Sequence, residues 1–153
     1  LWNKTMHIYQ WKSQYDVGLE LIDVEHKNLI ACINKLIIAQ NLDQYIVLKL
    51  ADEVIAYAEF HFLSEENLMY LTRYPELKSH AKIHKKLLEQ LREHRKGLSK
   101  SVYCLQEFVT FLVRWFIEHT QTEDPKVAKH VLNYKPLPNS AEYMIQKIAK
   151  EHY

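Results

Sequence analysis

Four stretches of this chain repeat apolar residues at steps of three and four, and histidine interrupts each of the four stripes. That spacing winds one face of an α-helix, so the histidines stand on the face that must be buried. The first stripe runs from about Leu19 or Asp23 to Gln40 through Ile22, His26, Leu29, Ile30, Ile33, Leu36 and Ile37. Asn41-Leu42-Asp43 supplies a turn and an N-cap for the second, which carries Val47, Leu50, Val54, Ala58, His61, Glu65 and Leu68. Tyr74-Pro75 ends that helix, and Pro75 suits the first turn of the next. The third stripe is Leu77, His80, His84, Leu87, Leu88 and Leu91, continuing to about Lys96 with Gly97 as its C-terminal cap. Ser99 or Ser101 caps a fourth helix with Leu105, Phe108, Leu112, Trp115 and His119 on its stripe. With only 2 Gly and 4 Pro in 153 residues, little breaks these elements. The pattern predicts an all-α, up-down-up-down four-helix bundle with an N-terminal arm and a short C-terminal helix.

The length suits one domain with a sizeable core. Residues 1–17 carry Trp2, Tyr9, Trp11 and Tyr15 without a helical period and read as an extended arm laid across the bundle. The bundle is expected over 18–135. Pro136-Leu137-Pro138-Asn139-Ser140 reads as a stiff connector to an amphipathic helix ending near Glu151, so that 136–153 form a tail outside the four bundle helices, either packing back on them or leading to a further domain. The chain opens on Leu1, as a piece of a longer protein does, with Met6 as another possible start. A net charge of +1, spread without a basic stripe, argues against nucleic acid as a partner. No apolar run is long enough for membrane insertion and no signal peptide is evident, which points to a cytoplasmic protein. Cys32 and Cys104, in no CxxC arrangement, read as small core residues.

The polar residues on the stripes carry the chemistry. His61 and Glu65 are an i,i+4 pair, as are His80 and His84, so each pair faces one way from a single helix. Any one buried histidine is ordinarily a core residue with a hydrogen-bond partner. Seven polar groups, His26, His61, Glu65, His80, His84, His119 and Asp124, need a common partner, and a metal serves several at once. A closed tetrahedral zinc site uses four ligands, so seven favour two metals. Asp124 lies about 140° round an ideal helix from His119 and joins it only if the helix ends or loosens near 120–122. Otherwise it simply N-caps a short helix beginning at Pro125, and spacing alone leaves both readings open.

The order of these residues resembles that of the hemerythrins, and more closely the bacterial hemerythrin-like domains, over about residues 9–130. The resemblance rests on Asp23-Val24-Glu25-His26, His61-Phe62-x-x-Glu65-Glu66, His80-x-x-x-His84 and Trp115-x-x-x-His119-x-x-x-x-Asp124. It implies two iron ions joined by a bridging oxo or hydroxo group. His80, His84 and His119 would bind one iron, His26 and His61 the other, and Glu65 and Asp124 would bridge them, which favours Asp124 as a ligand. Many relatives have an apolar residue after the fourth-helix histidine, where this chain has Thr120, so a wetter pocket is expected.

If both irons are octahedral, the one with two histidines is one ligand short, and the open position suits dioxygen. Carboxylate-rich di-iron enzymes use more anionic ligands, so this mostly neutral set favours reversible dioxygen binding for carriage, storage or sensing over catalysis. The alternatives are a sensor domain, passing its state to a fused or separate signalling or redox partner, and a di-iron enzyme handling peroxide or nitric oxide. Leu29, Ile30, Phe62, Trp115 and Phe116 are expected to wall the oxygen pocket.

Overall fold

The computed structural model describes residues 6–100 and 104–151. Its helices are α1 (Glu20–Ile38), α2 (Gln44–Leu71), α3 (Leu77–Ser99), α4 (Leu105–Thr122), α5 (Asp124–Asn133) and α6 (Ala141–Glu151), and no strand occurs among the described residues. Short 3-10 turns lie at Ser13–Tyr15 and Ala39–Asn41. Helices α1 to α4 form the expected bundle, with α1 against α2, α2 against α3 and α3 against α4. None of the described helices is long and apolar enough to cross a membrane.

Local chemistry sets the ends of these helices. Gly18 takes a left-handed backbone (φ 84°) before α1, and the Asp23 carboxylate, within the first turn, accepts the Val17 and Gly18 amides at 2.7 and 3.0 Å. Asp43 caps α2 as expected, its side chain accepting the Tyr45 amide at 2.8 Å. Helix α2 stops at Leu71, ahead of Tyr74-Pro75. Arg73 turns left-handed (φ 57°), its amide reaches Tyr70 O at 3.2 Å, and the Tyr74 amide reaches Met69 O at 2.8 Å. Those two bonds form a Schellman motif, which closes the helix before proline is reached. Pro75 lies in the turn ahead of α3 rather than in its first helical turn.

Two expected caps differ. Gly97 lies inside α3, which continues to Ser99, because nothing there requires a left-handed residue. Ser99 therefore belongs to α3, Ser101 is outside the described residues, and the cap of α4 is Cys104. Its amide donates to Glu107 Oε2 at 3.1 Å, while the Glu107 amide meets the Cys104 side chain. Cys104 is thus exposed, and only Cys32 is a core residue.

The arm lies along α1, where the Tyr9 amide donates to Asn34 Oδ1 and Asn34 Nδ2 donates to Tyr9 O, both at 2.8 Å. Trp2 falls outside the described residues. Of the two arrangements open to the tail, it takes the packed one. Helix α6 packs on α1 and α5, burying Gln146 and Ala149.

The core has two parts. The larger includes Leu29, Ile33, Leu36, Val54, Ala58, Phe62, Leu91, Phe108 and Leu112. The smaller joins Leu19 and Ile22 of the α1 end, Leu68 and Met69 of α2, Val127, Ala128 and Val131 of α5, and Ala149 of α6. In sequence, His26 falls between Ile22 and Leu29, and Glu65 between Phe62 and Leu68, so the polar residues occupy a layer between two apolar ones.

Candidate metal centre

All seven candidate ligands are buried and their functional atoms converge. His26 comes from α1, His61 and Glu65 from α2, His80 and His84 from α3, His119 from the last turn of α4 and Asp124 from the start of α5. The chain bends at Glu123, between α4 and α5, and this brings Asp124 Oδ1 to 2.9 Å from His119 Nε2 and Oδ2 to 3.1 Å from His26 Nε2. Asp124 therefore starts a helix beside Pro125 and also faces the cluster. Of the two readings left open by spacing, capping is not the one found: Glu123 holds the N-cap position, and the Asp124 carboxylate caps no amide.

Glu65, His80, His84, His119 and Asp124 form one group whose ligand atoms lie within 4.8 Å of one another, and His26, His61 and Asp124 form a second. Asp124 is common to both. Glu65 stands with the three-histidine group, with Oε2 at 3.4 Å from Nε2 of both His80 and His84.

The hydrogen bonding explains why these contacts need a cation. Glu25 Oε2 lies 2.8 Å from His61 Nδ1, and Glu66 Oε1 lies 2.9 Å from His84 Nδ1. A carboxylate accepts, so each Nδ1 carries a hydrogen and each Nε2 of the neutral ring presents a lone pair to the centre. There the Nε2 atoms crowd: His80 to His84 at 3.0 Å, His84 to His119 at 3.1 Å and His26 to His61 at 3.2 Å. Among the described residues, both oxygens of Glu65 and both of Asp124 are buried without a hydrogen-bond partner, as is His26 Nδ1. Buried carboxylates and lone pairs at such distances repel and have lost their water, a cost that positive charge at the centre offsets. This donor set of imidazole nitrogen and carboxylate oxygen fits a first-row divalent metal.

With no cation bound, protons fill that role. Burial and the Asp124 charge raise the Glu65 carboxyl, but His80 and His84 outweigh them and hold it at about 2. Asp124 opposes its burial in the same way, through His119 and His26, and is held well below the carboxylate range. Burial lowers His61, yet the Glu25 hydrogen bond and the Glu65 and Asp124 charges leave it raised. His80 is also raised against its burial, chiefly by Glu65.

The apolar residues proposed as pocket walls take two positions. Phe116 meets the His26 ring edge-on at 5.4 Å, and Leu29 and Ile30, one turn beyond His26, are buried. Phe62 stacks on His84 at 4.1 Å and 10°, with the His61 ring tilted toward it at 5.8 Å. Trp115 stacks on His119 at 5.3 Å and 20°, and both line a cavity of about 350 Å³ between α3 and α4. Thr120 is buried with its hydroxyl unpartnered.

Sequence reasoning gave no role to Glu25, Glu66 or Ser64, whose hydroxyl donates to Glu25 Oε1 at 2.6 Å. The available signal was position: each glutamate adjoins a site residue, Glu25 next to His26 and Glu66 next to Glu65. That Glu25 serves His61 on the neighbouring helix, rather than His26, depends on how α1 and α2 pack.

Residues 17–131 match the family described as the hemerythrin HHE cation binding domain. A bacteriohemerythrin of Stenotrophomonas maltophilia is 29% identical over 127 residues, covering 82% of this chain and 83% of that protein. A myohemerythrin of Theromyzon tessulatum is 30% identical over 118 residues, covering 77% and 89%. The crystal structure of a wild-type hemerythrin superposes with a TM-score of 0.74 over 80% of this chain and 97% of that one, at 23% identity, which shows a shared fold. With its buried histidine and carboxylate cluster suited to metal, the chain belongs to the hemerythrin family.

Proposed function

We propose that this protein binds dioxygen reversibly at a pair of iron ions. His80, His84 and His119 would hold one iron, His26 and His61 the other, and Glu65 and Asp124 would bridge them. The observation that carries this reading is the convergence of five Nε2 atoms and four orphaned carboxylate oxygens in two groups that share Asp124. The names of the similar proteins, bacteriohemerythrin and myohemerythrin, support iron over other first-row metals.

Iron supplies reversible electron donation to dioxygen, and the protein supplies the setting. Glu25 and Glu66 hold the His61 and His84 rings with Nε2 facing inward. Five neutral imidazoles and two carboxylates leave the centre less anionic than a carboxylate-rich site, which favours binding over oxidative turnover. Leu29, Ile30 and Phe116 beside His26, with Phe62 beside His61, keep water from the two-histidine side. That side would be one ligand short of six.

The test is iron content and an optical spectrum of the iron-loaded, reduced protein under argon, in air and again under argon. Two irons per chain and an absorption that appears in air and disappears on degassing are expected. One iron per chain, or a change in air that degassing never reverses, overturns the reading.

A further inference from the structure

The family match ends at residue 131, and α6 begins ten residues later at Ala141. This helix is nevertheless tied to the centre. Asp124 is the first residue of α5, so the position of its carboxylate depends on where α5 lies. Two hydrogen-bonding groups from outside α5, one a backbone carbonyl and one a side chain, fix that position. One is Thr72 at the end of α2, whose carbonyl accepts His130 Nε2 at 2.7 Å. The other is Gln146 of α6, buried, whose Nε2 donates to both Val131 O and Tyr134 O at 2.7 Å.

The last carbonyls of a helix have no partner within it, so Gln146 caps α5 from a different element. Apolar packing acts in the same direction. Ala149 of α6 completes the small cluster in which Val127, Ala128 and Val131 of α5 meet Leu19 and Ile22 of α1 and Leu68 and Met69 of α2. Four residues beyond Ile22 on α1 stands His26, which Asp124 Oδ2 approaches at 3.1 Å. The α6 helix thus closes the apolar layer beneath the one carboxylate shared by both ligand groups.

We infer that Gln146 is a positioning residue for Asp124, and that docking of α6 and binding of metal at Asp124 strengthen each other through α5. The second half rests on the metal reading above. If docked α6 favours the ligating position of Asp124, then metal at Asp124 favours docked α6 by the same factor. An event that lifts α6 would loosen the shared carboxylate, and loading the centre would hold α6 down.

The experiment has two arms on the full chain. In the first, imidazole NMR resonances of the metal-free protein are compared with those of Gln146→Leu, which keeps the apolar stem and removes both donated bonds. The His26 and His119 signals, whose rings touch Asp124, are expected to move most, and those of His61 and His84, held at Nδ1 by Glu25 and Glu66, least. No movement, or equal movement of all four, overturns the inference. In the second arm, amide exchange of α6 is followed by mass spectrometry with and without ferrous iron, in the native chain and in Asp124→Asn. Iron is expected to slow α6 exchange about tenfold in the native chain, within the usual range of coupling between sites, and hardly at all in Asp124→Asn. Unchanged α6 exchange in native protein that has taken up iron overturns the coupling. This arm leaves the contacts of α6 intact and so decides the matter even if Gln146→Leu does not fold. Failure to take up iron would remove the proposed function, and the metal-free arm would still decide the role of Gln146.

Discussion

Glu25 Oε2 and His61 Nδ1 meet at 2.8 Å across the α1/α2 interface, both buried, and Ser64 supplies a hydrogen bond to the other oxygen of the same carboxylate. The contact fixes the tautomer and the ring plane of His61 together. The equivalent contact for His84 uses Glu66, whose side chain is 31% exposed, so water competes for it. His26 Nδ1 has no such partner among the described residues. Three of the proposed ligand histidines thus receive three different degrees of support.

Glu25→Gln should therefore weaken metal binding by about 10- to 100-fold, since an amide accepts more weakly and brings no charge. Glu66→Gln should cost less. Competition with a chelator measures both. Equal affinities for the native and Glu25→Gln proteins would show that the contact serves packing alone.

Stability against pH should reverse its slope on metal loading. In the metal-free chain Glu65, at about 2, and Asp124 are held low, so their contribution is complete above about pH 4 and is lost as pH falls through the depressed values. His61 and His80 are raised, so theirs is complete below about pH 6.5 and is lost as pH rises through the raised values. Metal displaces those protons and binds more tightly as pH rises. Thermal midpoints between pH 6.5 and 8 should fall for the metal-free protein and rise for the loaded one; parallel slopes would contradict the assignment of these histidines as ligands.

Arg73 closes α2 from the left-handed region, where a residue with a side chain is strained by about 1 kcal/mol. Arg73→Gly should raise stability by about that amount, seen as a higher urea midpoint at unchanged slope. Arg73 is not among the seven proposed ligands, so iron content is the control and should not change.

Much of this was legible because the two periodicities coincide. The spacing that marks a helix face also marks His61 with Glu65, and His80 with His84, so the stripes gave the bundle and the shared face at once. The ends of the elements were less legible. Gly97 and Pro75 have the chemistry of helix punctuation, but backbone bonding at Tyr74 and the Cys104 and Glu107 cap fixed the boundaries instead. For α6 the amphipathic pattern left packing back on the bundle and leading to a further domain both open, and only the folded chain shows that Gln146 finds a partner on α5. Trp115 and Phe116 are neighbours in sequence, and a 100° step around α4 sends one to His119 and the other to His26.

That divergence allows a test of which wall guards the open side. Phe116 lies against His26, in the proposed two-histidine sphere, whereas Trp115 covers His119, in the saturated one. Phe116→Ala should open space beside His26, and azide should then enter the oxidised protein about tenfold faster than in the native chain, consistent with loss of an apolar barrier around the site. Trp115→Ala should alter the three-histidine side and change azide entry by less. Leu91→Ala, a buried core truncation away from the ligands, corrects for lost packing, at a cost of about 2–5 kcal/mol. Stopped-flow absorbance of the three variants decides the point. If Trp115→Ala admits azide faster than Phe116→Ala, the open position is not on the His26 side, and the proposed division of the ligands into a saturated and an open iron has to be reversed.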